Sequence, residues 1–319
     1  MNKKIKTFYA DKQVCFDSIK ESSYSQSPLK PYLLMKRFAE TGYDELLDVD
    51  GSFKPIKRQD FHIAHTEQYV DNVYTGTGNY RSNSLPWSRN LVDSLPYTTG
   101  SLYAASKWAL EHPEQIAFAP VSGMHHAQPE HGGGFCTFSG QVISAIKIYQ
   151  ETGKSCAYLD LDGHFGNSIE DTRDFNPLLN KAIPEGCNIN PDYADAVYVD
   201  DFREKLFALA QKIINNEIHY VVFAHGADSH SDDDLGGQCG TWYWLECARI
   251  FANWVNTVSE SIGKRLPVVL ALFGGYRKDD YTTVLDLHIK SILTCSNIIY
   301  NQNVEDTLTI NKKKCNYEF

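Results

Sequence analysis

The chain is poor in the features that mark export, membrane insertion and cross-linking. No run of about 18 apolar residues occurs, so no transmembrane helix is expected. The start, Met1-Asn2-Lys3-Lys4-Ile5-Lys6, is charged but has no apolar stretch behind it, so no Sec-type signal is expected. Eight cysteines, at 15, 136, 156, 187, 239, 247, 295 and 315, are scattered with no Cys-x-x-Cys pair, as in a reduced chain rather than a disulfide scaffold. These absences point to a cytoplasmic protein, although export by a non-Sec route leaves no mark to read. Basic runs are missing apart from Lys312-Lys313-Lys314, and the net charge is −10. Phosphate backbones repel such a chain, so direct nucleic-acid binding is not expected and a basic partner fits better.

Apolar residues are plentiful, at 42% of 319, enough for a large core. Neither repeats nor low-complexity linkers divide the chain. Short apolar runs at 116–120, 155–161, 220–224 and 268–273 are each followed closely by Gly, His or Asp, the pattern of buried parallel strands and the loops after them. Helical patterns fall at 102–111, 140–151, 203–215 and 240–262. This alternation predicts a single-domain α/β fold, a central parallel sheet with helices on both faces. Loops are expected at 75–87, 129–134 and 176–192, and residues 304–319 read as a polar tail that frays, leaving 1–303 as the folded unit.

All four predicted strands run into polar clusters, and ligand sites in open α/β sheets form at the carboxyl ends of strands. In the first, Asp160, Asp162 and His164 alternate with Leu161 and Gly163, so in extended chain the three ionisable groups share one side. Unpaired, they would be costly to bury, and a divalent cation resolves that cost. Asp oxygen and His nitrogen are good zinc ligands. The second cluster, His225-Gly226-Ala227-Asp228, offers a third ligand, leaving a position for water. Its continuation, Asp232-Asp233-Asp234, reads as a solvated acidic loop. Calcium competes for so many carboxylates, but His164 disfavours it.

The third cluster is Gly123-Met124-His125-His126-Ala127, followed by Gly132-Gly133-Gly134-Phe135-Cys136. Two adjacent imidazoles can divide proton-transfer work, one accepting from water and one protonating a leaving amine. The fourth is Phe273-Gly274-Gly275-Tyr276-Arg277. Its glycines permit an unusual turn that brings the Tyr276 phenol over the sheet edge, where it can stabilise an oxyanion.

Together these clusters resemble the zinc-dependent histone deacetylase family over roughly 25–295, including Ser27-Pro28-Leu29-Lys30-Pro31-Tyr32 near the start. The Gly-Gly-Gly-Phe-Cys and Gly-Gly-Tyr-Arg-Lys wording is closest to class IV enzymes and their bacterial relatives. The resemblance implies an arginase/deacetylase-like fold and zinc on Asp162, His164 and Asp228. It makes His125 and His126 the tandem acid and base, oriented by Asp160 and Asn167. Tyr276 then polarises the substrate carbonyl. Gly134, Phe135 and Phe165 line an acyl-lysine tunnel, and Leu235 stands at its rim, where polyamine-specialised members tend to carry an acid. The implied reaction releases acetate from the acylated lysine of a protein or peptide. A longer acyl chain would require a deeper pocket, and an acylated small amine is a further alternative. A silent reader of acyl-lysine is opposed by the intact ligands and Tyr276, and a two-manganese ureohydrolase needs more ligands than Asp162-Gly163-His164 provides. Two departures stand out: Ser168 replaces a usual glycine, and 169–200 follows the family poorly. A structural potassium ion, drawing on that region and on carbonyls near 160–164, is implied less directly.

Overall fold

Strand-forming runs and amphipathic helices assemble as an open parallel sheet in the computed structural model, which describes residues 2–19 and 25–313. The strands are β1 (Ile5–Phe8), β2 (Leu47–Asp50), β3 (Ala117–Phe118), β4 (Cys156–Asp160), β5 (Asn188–Ile189), β6 (Tyr220–Ala224) and β7 (Val268–Ala271). They lie in the order β2-β1-β3-β7-β6-β4-β5, every neighbouring pair parallel. β4 and β6 are buried along their whole length, which is why they read as unbroken apolar runs.

The helices are α1 (Lys30–Thr41), α2 (Glu67–Thr75), α3 (Arg89–Glu111), α4 (Gly140–Thr152), α5 (Ser168–Thr172), α6 (Leu179–Ala182), α7 (Asp195–Ile214), α8 (Thr241–Ser261) and α9 (Tyr281–Tyr300). One hydrophobic core runs through both faces of the sheet, with Phe38, Phe118, Ile143, Tyr158, Phe223, Phe251 and Ile289 at its heart. No helix among the described residues is long and apolar enough to cross a membrane.

The four strands expected from sequence are β3, β4, β6 and β7, and they are adjacent in the sheet. Their carboxyl ends therefore open onto one place. Two expectations need correction. The stretch 176–192 is not all loop, since it carries α6 and the edge strand β5. Nor does 304–313 fray. Val304, Leu308 and Ile310 pack against the core, and the Tyr43 hydroxyl donates to the Glu305 carbonyl at 2.9 Å. Lys290 pairs with Asp306 at 2.6 Å, and the Lys313 amide donates to Asp232 at 2.9 Å. Apolar residues at every second or fourth position were enough to anchor a segment that is otherwise polar. Residues 314–319, with Cys315, lie outside the described residues. The remaining seven cysteines are all free and buried.

Candidate metal centre and active site

β4 ends at Asp160, and the chain then turns through Gly163 so that Asp162 and His164 face the loop after β6. One ligand atom from each of Asp162, His164 and Asp228 lies within 4.8 Å of the others. His164 presents Nδ1 to both carboxylates, 3.1 Å from Asp162 Oδ1 and 3.0 Å from Asp228 Oδ2. Asp228 is fully buried, and its Oδ1 has no hydrogen-bond partner among the described residues. The backbone grips the set closely: Gly274 N–H donates to Asp162 Oδ2 at 2.7 Å, and a Cβ at Gly274 would lie 2.2 Å from the Asp228 carboxylate. Any other residue there would displace a ligand.

The protonation pattern shows what this trio lacks. Burial, with Asp162 alongside, pushes the Asp228 carboxyl up to about 8. Hydrogen bonds donated to Asp162 and Asp228 raise His164 to about 10. Asp228 and His164 thus hold protons beside an ionised Asp162 unless a cation replaces them. The orphaned oxygen, the mixed Asp/His donors and the tight backbone fit a divalent ion.

Beside the trio stand two histidines on the loop after β3. His125 Nδ1 is 2.9 Å from Asp160 Oδ2, and His126 Nδ1 is 2.7 Å from Asn167 Oδ1. The rings are 4.1 Å apart between centroids. Their partners differ in kind. Asp160 is a buried anion that stabilises an imidazolium on His125, whereas Asn167 accepts the Nδ1 proton of a neutral His126 and leaves Nε2 with its lone pair. Burial opposes charge on His125, but Asp162 and Asp160 outweigh it and push the group up to about 9. Burial and the neighbouring His125 push His126 down to about 4.

Tyr276 closes the site from the loop after β7. Its ring centroid is 6.4 Å from that of His164 and 5.5 Å from that of Phe135. Phe135 adopts a left-handed φ of 65°, directly after Gly134 at 44°. A Cβ at Gly134 would meet the His126 ring at 2.4 Å, so this turn requires glycine and aims Phe135 over the site. Phe165 and Leu235 are exposed, as rim positions would be.

The profile of the histone deacetylase domain matches residues 25–178. The chain is 23% identical to histone deacetylase 5 of Arabidopsis thaliana over 93% of its own length and 49% of that protein's. It is 32% identical to histone deacetylase HDA1 of Saccharomyces cerevisiae over 40% of its own length and 16% of that protein's. Residues 25–178 thus carry the pattern of a histone deacetylase domain. A crystal structure of the HDA15 HD domain shares the fold of this chain, with a TM-score of 0.68 at 15% identity over 96% of this chain and 90% of that one. The chain spans about half the length or less of the relatives it matches by sequence.

Sequence reasoning passed over two residues of this site. Lys30, inside the Ser27-Pro28-Leu29-Lys30-Pro31 segment, is fully buried and donates through Nζ to the carbonyl of Phe273. Asp233 is not a solvated member of an acidic loop: its Oδ2 accepts from Tyr276 N–H at 2.7 Å. Asp232 and Asp234 likewise accept backbone amides, from Lys313 and Lys278. The signal available was three consecutive acids placed just after a ligand, but nothing local tells a capping carboxylate from a solvated one.

Proposed function

We propose that this protein is a zinc-dependent deacetylase that hydrolyses the amide of an acetylated lysine in a protein or peptide. The observation carrying this reading is the pair of differently partnered histidines, His125–Asp160 and His126–Asn167, set beside the Asp162, His164 and Asp228 donors. That donor set, two carboxylates and one imidazole nitrogen, suits zinc better than calcium or magnesium. When bound, such an ion polarises the amide carbonyl and makes water a stronger acid.

The chain's own residues divide the remaining work. His126, neutral and with Nε2 free of its partner Asn167, takes a proton from the attacking water. It then delivers that proton to the amine nitrogen as the C–N bond breaks. His125 keeps its charge through Asp160 and faces the developing negative charge. The Tyr276 hydroxyl donates to the carbonyl oxygen as it becomes an oxyanion. Phe135 and Phe165 flank a slim alkyl stem, Gly134 lets the His126 ring pack close, and uncharged Leu235 at the rim favours lysine over a polyamine. The ions in this account are zinc and, as a structural partner, potassium. The catalytic unit is residues 1–303 with the strap of 304–313 packed against it, and the setting is the cytoplasm, with no direct nucleic-acid or membrane partner.

A second reading, removal of longer acyl chains, draws on one feature. A cavity lined by Leu85, Leu91, Leu95, Met124 and Phe138 also has Phe135 and Gly123 in its wall. Zinc-loaded protein offered peptides that differ only in acyl length, together with a free acetylpolyamine, separates the readings. The acetyl peptide should be turned over fastest. Preference for long chains would transfer the assignment to the second reading, equal turnover of the polyamine to small amines, and hydrolysis of none to an acyl-lysine binding module.

A further inference from the structure

The turn that carries Tyr276 is conformationally demanding. Phe273 sits at a left-handed φ of 77° and Gly275 at 135°, and a Cβ at Gly275 would meet Val284 at 2.5 Å. A non-glycine residue holds φ > 0 only where its surroundings impose it. Two side chains from distant parts of the chain grip this turn at its ends. Lys30, on the first turn of α1, donates to the Phe273 carbonyl, and its Nζ lies 5.8 Å from the centre of the Tyr276 ring. Asp233, from the loop after β6, accepts the Tyr276 amide at 2.7 Å and is itself held by the Leu235 amide at 2.9 Å. Lys30 is fully buried. An ammonium is costly to bury and is retained only where it makes strong contacts. Here those are a backbone carbonyl and the field of Asp228, Asp162 and Asp233.

We propose that Lys30 and Asp233 are positioning residues that clamp the 273–276 turn from its two ends and so set the Tyr276 phenol over the site. The clamp rests on the role given to Tyr276 under Proposed function. Neither residue touches the reacting atoms. Their effect passes through Tyr276, whose hydroxyl acts most strongly on the transition state, so losing the clamp lowers kcat with little change in KM.

The test is a double-mutant cycle on the zinc-loaded full chain, with amide hydrogen exchange as an independent readout. Lys30→Met and Asp233→Ala should each lower kcat on an acetyl-lysine peptide by about 10- to 100-fold. In a Tyr276→Phe background the same substitutions should lower it by less than about threefold, because the interaction they support is already gone. Asp233→Asn, which retains an acceptor oxygen, should recover most of the loss. Exchange in the peptide spanning 273–278 should quicken in Lys30→Met and Asp233→Ala while the β4 and β6 amides keep their protection. Unchanged exchange at 273–278, or equal losses in the wild-type and Tyr276→Phe backgrounds, would overturn the clamp. Should Lys30→Met not fold, Lys30→Arg and Asp233→Ala give the same reading. Should the wild type hydrolyse no acylated peptide, the functional reading falls, while the exchange measurement still decides the clamp.

Discussion

Asp228 and Tyr276 reach the same small volume from different strand ends, and single-atom changes separate their roles. Asp228→Asn removes one anionic oxygen from a donor that is itself fully buried. Metal affinity should fall by more than the roughly 10–100-fold typical of a residue that only orients a ligand. Elemental analysis after dialysis reads this directly, and full occupancy would remove Asp228 from the ligand set. Tyr276→Phe deletes only a hydroxyl. It should leave metal content intact and lower kcat by about 10²–10³-fold, as loss of one oxyanion donor does. Unchanged turnover would contradict the assigned role. Local sequence offered only a hint of these residues, glycines flanking a polar group after a strand, and their roles came from the family resemblance. Lys30 and Asp233 were not legible even so, because their importance lies in which backbone atoms they meet 243 and 43 residues away.

At the scale of elements, the junction between the loop before α2, the Pro129 loop and the start of α4 is held by one buried imidazole. His65 Nδ1 is 2.8 Å from the Gln128 carbonyl, and Ser139 N–H donates to Nε2 at 2.8 Å. Both contacts are satisfied together only by the neutral ring with its proton on Nδ1. Burial, with a smaller contribution from His62, pushes the group from its ordinary 6.5 down to about 4. The folded state therefore resists a proton that the unfolded state accepts. His65's contribution should be complete above pH 6.5 and lost as the pH falls toward 4, amounting to about 3 kcal/mol at most. Denaturant titrations across that window should show His65→Gln to be less stable than wild type at neutral pH but less sensitive to acid. An identical pH slope in both proteins would rule out this linkage. Elements whose pattern is strongly periodic or continuously apolar, such as β4, β6, α4 and α8, were foreseen within a residue or two. The interior of α9 is buried on nearly every side, so it lacks the one-sided stripe that marks a surface helix, and β1, β2 and β5 are too short to stand out.

At the scale of the whole molecule, the C-terminal strap joins the last element to the site. Residues 304–313 cover Tyr43, Asp306 pairs with Lys290, Arg277 donates to the Asn311 carbonyl, and Lys313 pairs with Asp234. Deleting 304–319 should lower stability by about 2–3 kcal/mol, from the half-buried Val304, Leu308 and Ile310 and the lost pairings. Thermal unfolding of the metal-loaded proteins measures this, and an unchanged midpoint would mean the strap is only loosely laid on.

The order of polar clusters along the chain and the residue types within each were enough to predict the α/β class and the convergence of four strand ends, and to nominate Asp162 and His164 as a donor pair, with Asp228 added by the family resemblance. All but the last follow from local periodicity and from the requirement that buried charge be paired. Tertiary structure alone decided that the acidic run caps backbone amides, that a lysine near residue 30 reaches the Tyr276 turn, and that the polar tail is fastened down. Each depends on which distant backbone groups are left needing a partner after the sheet has closed, and that follows from the packing of the whole chain.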